Sequence, residues 1–137
     1  MDERTMRDRV AGAPVARLAT VNATGAPDLV PVTFAVDGDT LVTAVDHKPK
    51  RSTRLARLAN VRRDPRVTLL VDEYDDDWSR LWWVRIRGRA RVEEPGTADH
   101  GRAVDLLAAK YHQYRGRSPT GPALVVTVDQ WRGWAAG

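Results

Sequence analysis

The stretch Leu81-Trp82-Trp83-Val84-Arg85-Ile86-Arg87-Gly88-Arg89-Ala90-Arg91-Val92 alternates strictly between two kinds of side chain. Trp82, Val84, Ile86, Gly88, Ala90 and Val92 share one parity, and Trp83, Arg85, Arg87, Arg89 and Arg91 share the other. Successive side chains of a β-strand point to opposite faces, so this period of two predicts one long strand with an apolar face and an arginine face. A sheet packed on one side and wet on the other is characteristically antiparallel.

Working outward, Asp72 to Ser79 is an acidic loop and Arg66 to Val71 a second strand. Asp64-Pro65 stops a helix expected over Ser52 to Arg63, with Ser52 as N-cap and Leu55, Leu58 and Ala59 facing inward. A polar loop, Asp46 to Arg51, precedes that helix. Thr40 to Val45 is a strand returning from the turn Asp37-Gly38-Asp39. Leu29 to Val36 is apolar on both faces, as in a central strand, but Pro31 removes a ladder donor and predicts a bulge or unpaired stretch. The turn Thr24-Gly25-Ala26-Pro27 follows a strand at Val15 to Val21, and Asp2 to Ala11 reads as a short helix with Met6 and Val10 on one face. On the C-terminal side, a helix within Pro95 to Tyr114 places Val104, Leu107, Ala108 and Tyr111 at helical spacing. A loop, Arg115 to Pro122, leads to a last strand at Leu124 to Val128, followed by Trp131 and Trp134. About six strands and three helices, joined mostly by hairpins, predict a mainly β (α+β) fold: a split antiparallel β-barrel with peripheral helices. It is expected to form one domain over residues 1–137.

Composition narrows the function. With 42% hydrophobic and 29% charged residues, the chain is a folded domain and not a disordered one. No apolar run approaches the ~20 residues of a membrane span, so no membrane partner is expected. The charged start, Met1 to Val10, is not a signal peptide, and the absence of cysteine fits a reducing cytoplasm. It also removes disulfides, thiolate catalysis and zinc–cysteine sites. A net charge of +4 favours an anionic ligand.

Nineteen of the 22 cations are arginine; the lysines are Lys48, Lys50 and Lys110. Two of them fall in His47-Lys48-Pro49-Lys50-Arg51-Ser52-Thr53-Arg54, which follows a strand and opens a helix. Unpaired N–H groups, the positive end of the helix dipole, full charges and two hydroxyls together suit a phosphate. On these residues alone, a solvated basic loop is an equal alternative. The arginine stripe is the second signal, with like charges ~6.6 Å apart along the strand. Neutralisation by Glu73 and Asp75 to Asp77 is the favoured reading, and a track for a polyanion the other. Trp83, on the same face, could stack on a planar ring or pack at a subunit interface.

No metal site is expected. His47, His100 and His112 lack ligand spacing, and each is expected at the surface. There is no Ser-His-Asp grouping and no glycine-rich phosphate fingerprint. No catalytic side chain is visible, so a bound cofactor would carry any reaction.

The succession Val15-Ala16-Arg17-Leu18-Ala19-Thr20, Gly25-Ala26-Pro27, Val30-Pro31-Val32-Thr33-Phe34 and Asp37-Gly38-Asp39 resembles the split β-barrel flavin and deazaflavin oxidoreductases, the pyridoxamine 5′-phosphate oxidase-like superfamily. Lys48-Pro49-Lys50-Arg51, Asn60 to Val67, Gly88-Arg89-Ala90 and Gln130 to Trp134 extend the likeness over nearly the whole chain. Leu81-Trp82-Trp83-Val84-Arg85 looks most like the coenzyme F420-dependent branch. Family patterns often carry asparagine after the basic loop's arginine, where this chain has Ser52.

The resemblance implies an FMN-binding-like split barrel and a homodimer with two cofactor sites at the subunit interface. It implies a ring against Pro31, Val32 and Thr33 and against Thr43, Ala44 and Val45, beside Trp83. The phosphate would be held by Lys48, Lys50 and Arg51 with Ser52 or Thr53. Coenzyme F420 is the implied cofactor and FMN the alternative. The strand arginines or Arg54 would meet the anionic tail of coenzyme F420. The implied activity is hydride transfer between the deazaflavin and a small conjugated substrate, with Tyr74, Trp78 or Trp83 at the substrate pocket. An FMN oxidase or reductase, or a flavin or haem carrier, is the alternative within the fold. A nucleic-acid-binding β-barrel is disfavoured, because the arginine strand offers no stacking platform beyond Trp83.

Overall fold

A computed structural model describes residues 1–45 and 51–137, with side chains from residue 56 onward in the second span. The elements are α1 (Glu3–Gly12), β1 (Ala16–Val21), β2 (Pro27–Val32), β3 (Ala35–Asp37), β4 (Thr40–Ala44), α2 (Arg51–Arg63), β5 (Arg66–Glu73), β6 (Trp82–Glu93), α3 (Ala98–Lys110) and β7 (Ala123–Ala135). The seven strands form one sheet in the order β2-β1-β5-β6-β7-β4-β3, and every neighbouring pair is antiparallel.

The ordering forces the shape. β2 and β3 are consecutive in the chain yet occupy opposite edges of the sheet, joined only by Thr33-Phe34. Two linking residues reach roughly 10 Å at most. The sheet must therefore curl until its edges approach, which makes a split half-barrel. Its inner face carries Val84, Ile86 and Ala90 of β6, with Leu18, Leu69, Leu41, Val126 and Phe34. A smaller core lies outside the barrel, where Ala103 and Leu107 of α3 pack on Val42, Ala44 and Val125.

Several expectations change. Leu29 to Val36 is two strands instead of one, and β2 is an edge strand instead of a central one. Leu29 is accordingly 67% exposed. Pro31 pairs opposite Arg17 and has no second neighbour, so its missing N–H costs no ladder bond on the open side. The strand count is therefore seven. β7 continues to Ala135 instead of stopping at Val128, because a bulge resets its alternation. Arg87 pairs with Gln130 and Gly88 with Val128, leaving Asp129 as the extra residue. A Cβ at Gly88 would lie 2.3 Å from the Thr127 carbonyl oxygen, so only glycine fits this crossing.

α1 is capped by Asp2, whose carboxylate accepts from the Thr5 N–H at 2.8 Å, and it buries Met6 and Val10. α2 starts at Arg51, so Ser52 is its second residue and not its cap. Leu58 is buried as expected, but Ala59 is exposed and Asn60 and Val61 are buried instead; the Leu55 side chain lies outside the described part. The expected surface position of His100 is also corrected: it is 7% exposed, and its Nε2 lies 2.8 Å from the Gly121 carbonyl oxygen. Among the described residues, no helix is long and apolar enough to cross a membrane.

Candidate functional site

The crossover Thr33-Phe34 is held from two sides. The Thr43 hydroxyl donates to the Thr33 carbonyl at 2.7 Å. The Thr33 and Tyr114 hydroxyls are 2.8 Å apart. The Phe34 N–H donates to the Tyr111 hydroxyl at 3.1 Å, and that hydroxyl lies 2.9 Å from the Pro14 carbonyl. With its backbone so occupied, this short linker is a rigid wall.

Against that wall lies a cavity of about 210 Å³, lined by Pro31, Val32, Thr33, Ala44, Arg57 and Tyr114. Four residues expected at the cofactor, Pro31, Val32, Thr33 and Ala44, therefore meet in one place. Thr43 and Val45 are buried and are not part of the lining, and the Val45 N–H donates to the Pro122 carbonyl at 3.1 Å. Trp83 lies on β6, with the Arg85 guanidinium 5.7 Å from its ring centroid, and is not part of the lining. Lys48 and Lys50 lie outside the described residues. Arg51, Ser52 and Thr53 form the first turn of α2, and their side chains lie outside the described part.

Arg57 and Tyr114 were not anticipated. Arg57 is half-buried, and its Nε has no hydrogen-bond partner. Burial pushes its guanidinium pKa down, because the charged form loses hydration. It also borders a second cavity of about 380 Å³ with Thr20, Asp28, Leu29, Val30, Ala56 and Asn60. Arg57 thus stands between two cavities as a cation with no ion-pair partner among the described residues. Its sequence signal is its place three residues before Asn60, on the same helical face. A background of nineteen arginines hides that signal.

Asp28, the acid that shares this second cavity, is already engaged. Asn60 donates to the Thr20 hydroxyl at 3.0 Å and to the Asp28 carboxylate at 2.8 Å, and accepts from Arg63 at 2.9 Å. Hydrogen bonds from Asn60, and then from Asn22, hold the Asp28 carboxyl below the usual range. On the other side of the crossover, the Lys110 ammonium sits 3.8 Å from the Phe34 ring centroid, with no hydrogen-bond partner. Burial pushes its pKa down to about 8.

The acids do not neutralise the arginine stripe, contrary to the favoured reading. Glu73 accepts from the Trp82 indole at 3.0 Å, Asp75 lies 3.8 Å from Arg80, and Asp77 caps the short turn Trp78–Arg80. They serve their own loop because it folds back on itself. Arg91 pairs with Glu93 and Asp99, both at 3.0 Å, whereas Arg87 and Arg89 make no ion pair among the described residues. Tyr74 and Trp78 are exposed, joined to each other by a 3.3 Å hydrogen bond, and are not part of the cavity lining. No group of three or more potential metal ligands occurs among the described residues.

A family model described as pyridoxamine 5′-phosphate oxidase matches residues 3–135. The fold recurs in a conserved hypothetical protein from Mycobacterium tuberculosis (23% identity, TM-score 0.78, 98% of this chain and 85% of that one). A haem-binding protein from Mycobacterium smegmatis is similar at 20% identity and a TM-score of 0.73, over 96% of this chain and 52% of that one. An FAD-binding protein from the same organism is similar at 19% identity and a TM-score of 0.66, over 98% of this chain and 94% of that one.

Proposed function

We propose, from the premise that this chain belongs to the pyridoxamine 5′-phosphate oxidase family, that it is an oxidoreductase holding a phosphate-bearing flavin or deazaflavin in the cavity beside the crossover. Coenzyme F420 is the preferred cofactor and FMN the alternative. The observation that carries the reading is Arg57, a half-buried cation with an unsatisfied Nε on the cavity wall. Such a group is costly unless an anion completes it.

The residues fit that cofactor class. Pro31, Val32, Thr33 and Ala44 offer a wall for a flat ring, fixed in place by Tyr111, Tyr114 and Thr43. Arg57 would hold the phosphate together with the start of α2, where Lys48, Lys50, Arg51, Ser52 and Thr53 lie in sequence. When bound, the deazaflavin supplies hydride transfer to a conjugated acceptor. The chain's own work is to orient the ring, exclude water and neutralise the phosphate; no side-chain acid or base is required.

About 210 Å³ falls below the ~300–1,000 Å³ of enclosed ligand sites. A second copy of the chain completing each site, as a homodimer, supplies the missing wall. A haem carrier is the weaker reading, because among the described residues no histidine lines this cavity to serve as an axial ligand.

The test is a titration of the purified protein with coenzyme F420, FMN, riboflavin and single-stranded DNA in one buffer. Phosphate-bearing cofactors should bind about tenfold or more tighter than riboflavin, and Arg57→Gln should erase that ratio. Lys50→Glu should also weaken the cofactor far more than it lowers the melting temperature. Tight binding of FMN alone would remove the deazaflavin assignment. DNA binding with steep salt dependence and no flavin binding would replace the reading altogether.

A further inference from the structure

A cleft of about 570 Å³ shares no lining residue with the cofactor cavity. It lies across the outer face of the sheet, where Arg66, Thr68, Arg87, Arg89, Asp129 and Gln130 converge. The geometry points to a second ligand site here, for a compact, multiply charged anion bearing clustered carboxylates or phosphates.

Three features carry the assignment. Arg87 and Arg89 point the same way from β6, and neither has an ion-pair partner among the described residues. Arg89 is also directly opposite Arg66 on β5, an arrangement of like charges that destabilises a sheet. Arg66 is offset by Asp64 at 2.6 Å, which leaves two uncompensated guanidiniums. Asp129, the acid nearest in the ladder, lines the same cleft without forming an ion pair, so the cleft keeps its positive balance.

The backbone contributes the remaining feature. The bulge at Asp129 and the close crossing at Gly88 interrupt the flat sheet where the arginines stand. Bulges of this kind re-aim side chains and recur beside binding sites. Thr68 faces Arg87 across β5, and Gln130 faces it across β7, so neutral hydrogen-bonding groups flank the charges. Arginine forks with neutral donors beside them match planar, bidentate anions. No aromatic side chain lines the cleft, which favours a small anion over a stacked nucleic-acid strand.

Two sources share this chemistry: a free polyanion, and the polycarboxylate tail of a cofactor held nearby. The second rests on the function proposed above; the first does not. The experiment is calorimetric titration of the purified chain with tricarballylate and with pyrophosphate, for the wild type and for Arg87→Gln/Arg89→Gln. Both side chains are exposed, so the double variant should fold and melt as the wild type does. The wild type should bind both probes, more weakly as salt rises, and the variant should lose about tenfold or more. FMN affinity should stay unchanged in the variant.

Tricarballylate that competes with coenzyme F420 but not with FMN identifies the tail as the source; no competition identifies a free anion. Equal anion affinity in the double variant would overturn the site. So would binding of single-stranded DNA with neither small anion, or loss of FMN affinity in the variant, which would make the cleft part of the cofactor site. Anion binding by a protein that takes no flavin would leave this inference standing and remove the earlier one.

Discussion

Arg57 and Asn60 stand three residues apart on the same face of α2, and both look into the cavity floored by Asp28, Leu29 and Val30. Asn60 is 4% exposed, with hydrogen bonds to Thr20, Asp28 and Arg63. Arg57 is half-buried and keeps an Nε with no partner. Asn60 has spent its polar capacity on the fold, and Arg57 holds a charge in reserve. The contrast teaches how to separate structural from functional polar groups: the first are satisfied within the chain, and the second are completed only by something bound.

The largest effect should come from the satisfied residue. Asn60→Leu strands the buried Thr20 hydroxyl and the Asp28 carboxylate, and urea unfolding should show a loss of about 3 kcal/mol. A loss below about 1 kcal/mol would break the comparison. Arg57→Gln should leave unfolding within about 0.5 kcal/mol of wild type, yet weaken FMN by about tenfold, or about 1.4 kcal/mol. Stability falling in step with affinity would make Arg57 another structural residue.

Lys110 sharpens the same point, because it too lacks a hydrogen-bond partner but rests on the Phe34 ring. Its pKa falls from 10.5 to about 8 on folding. Between those values the unfolded chain holds a proton that the native chain has shed, so native stability rises with pH through that window. Below about pH 8 the buried charge is carried in full. Lys110→Met should therefore melt a few degrees higher at pH 7, with the advantage shrinking above pH 8 and gone past pH 10.5. Thermal melts across pH decide it, and an advantage independent of pH would refute it.

The smallest effect is at Asp28. Its carboxyl is held low by Asn60 and Asn22, so the stability it contributes is present above the ordinary aspartate value of about 3.9. That contribution is lost as pH falls through the lower folded value. Asp28→Asn should lower stability slightly at neutral pH and flatten the acid limb below about pH 4, where variant and wild type converge. An unaltered acid limb would detach Asp28 from the Asn60 network.

Part of this was legible in residue order. The alternation of β6 announced itself because side-chain parity is a local property, and Asp64-Pro65 marked the end of α2 for the same reason. The same cues failed for Leu29 to Val36: apolar residues on both faces describe a central strand and an edge strand equally, and only the strand order separates them. The window beside Lys48 and Lys50 was visible as a density of charge. Arg57 was not, because what marks it among nineteen arginines is a half-buried place on a cavity wall with an unsatisfied Nε, which residue order does not encode. The neutralisation expected of Glu73 and Asp75 to Asp77 failed likewise, since closeness in sequence let that loop bond to itself.

The sequence by itself determined the strand faces, most of the turns and the absence of cysteine chemistry, because each follows from neighbours along the chain or from composition. Tertiary structure alone decided that β2 and β3 are opposite edges held by two residues, that Asn60 and not Ala59 turns inward, and that Arg57, Arg87 and Arg89 have no ion-pair partner among the described residues. Pairing and burial depend on groups brought together from distant parts of the chain, and no local pattern encodes which partner fails to arrive.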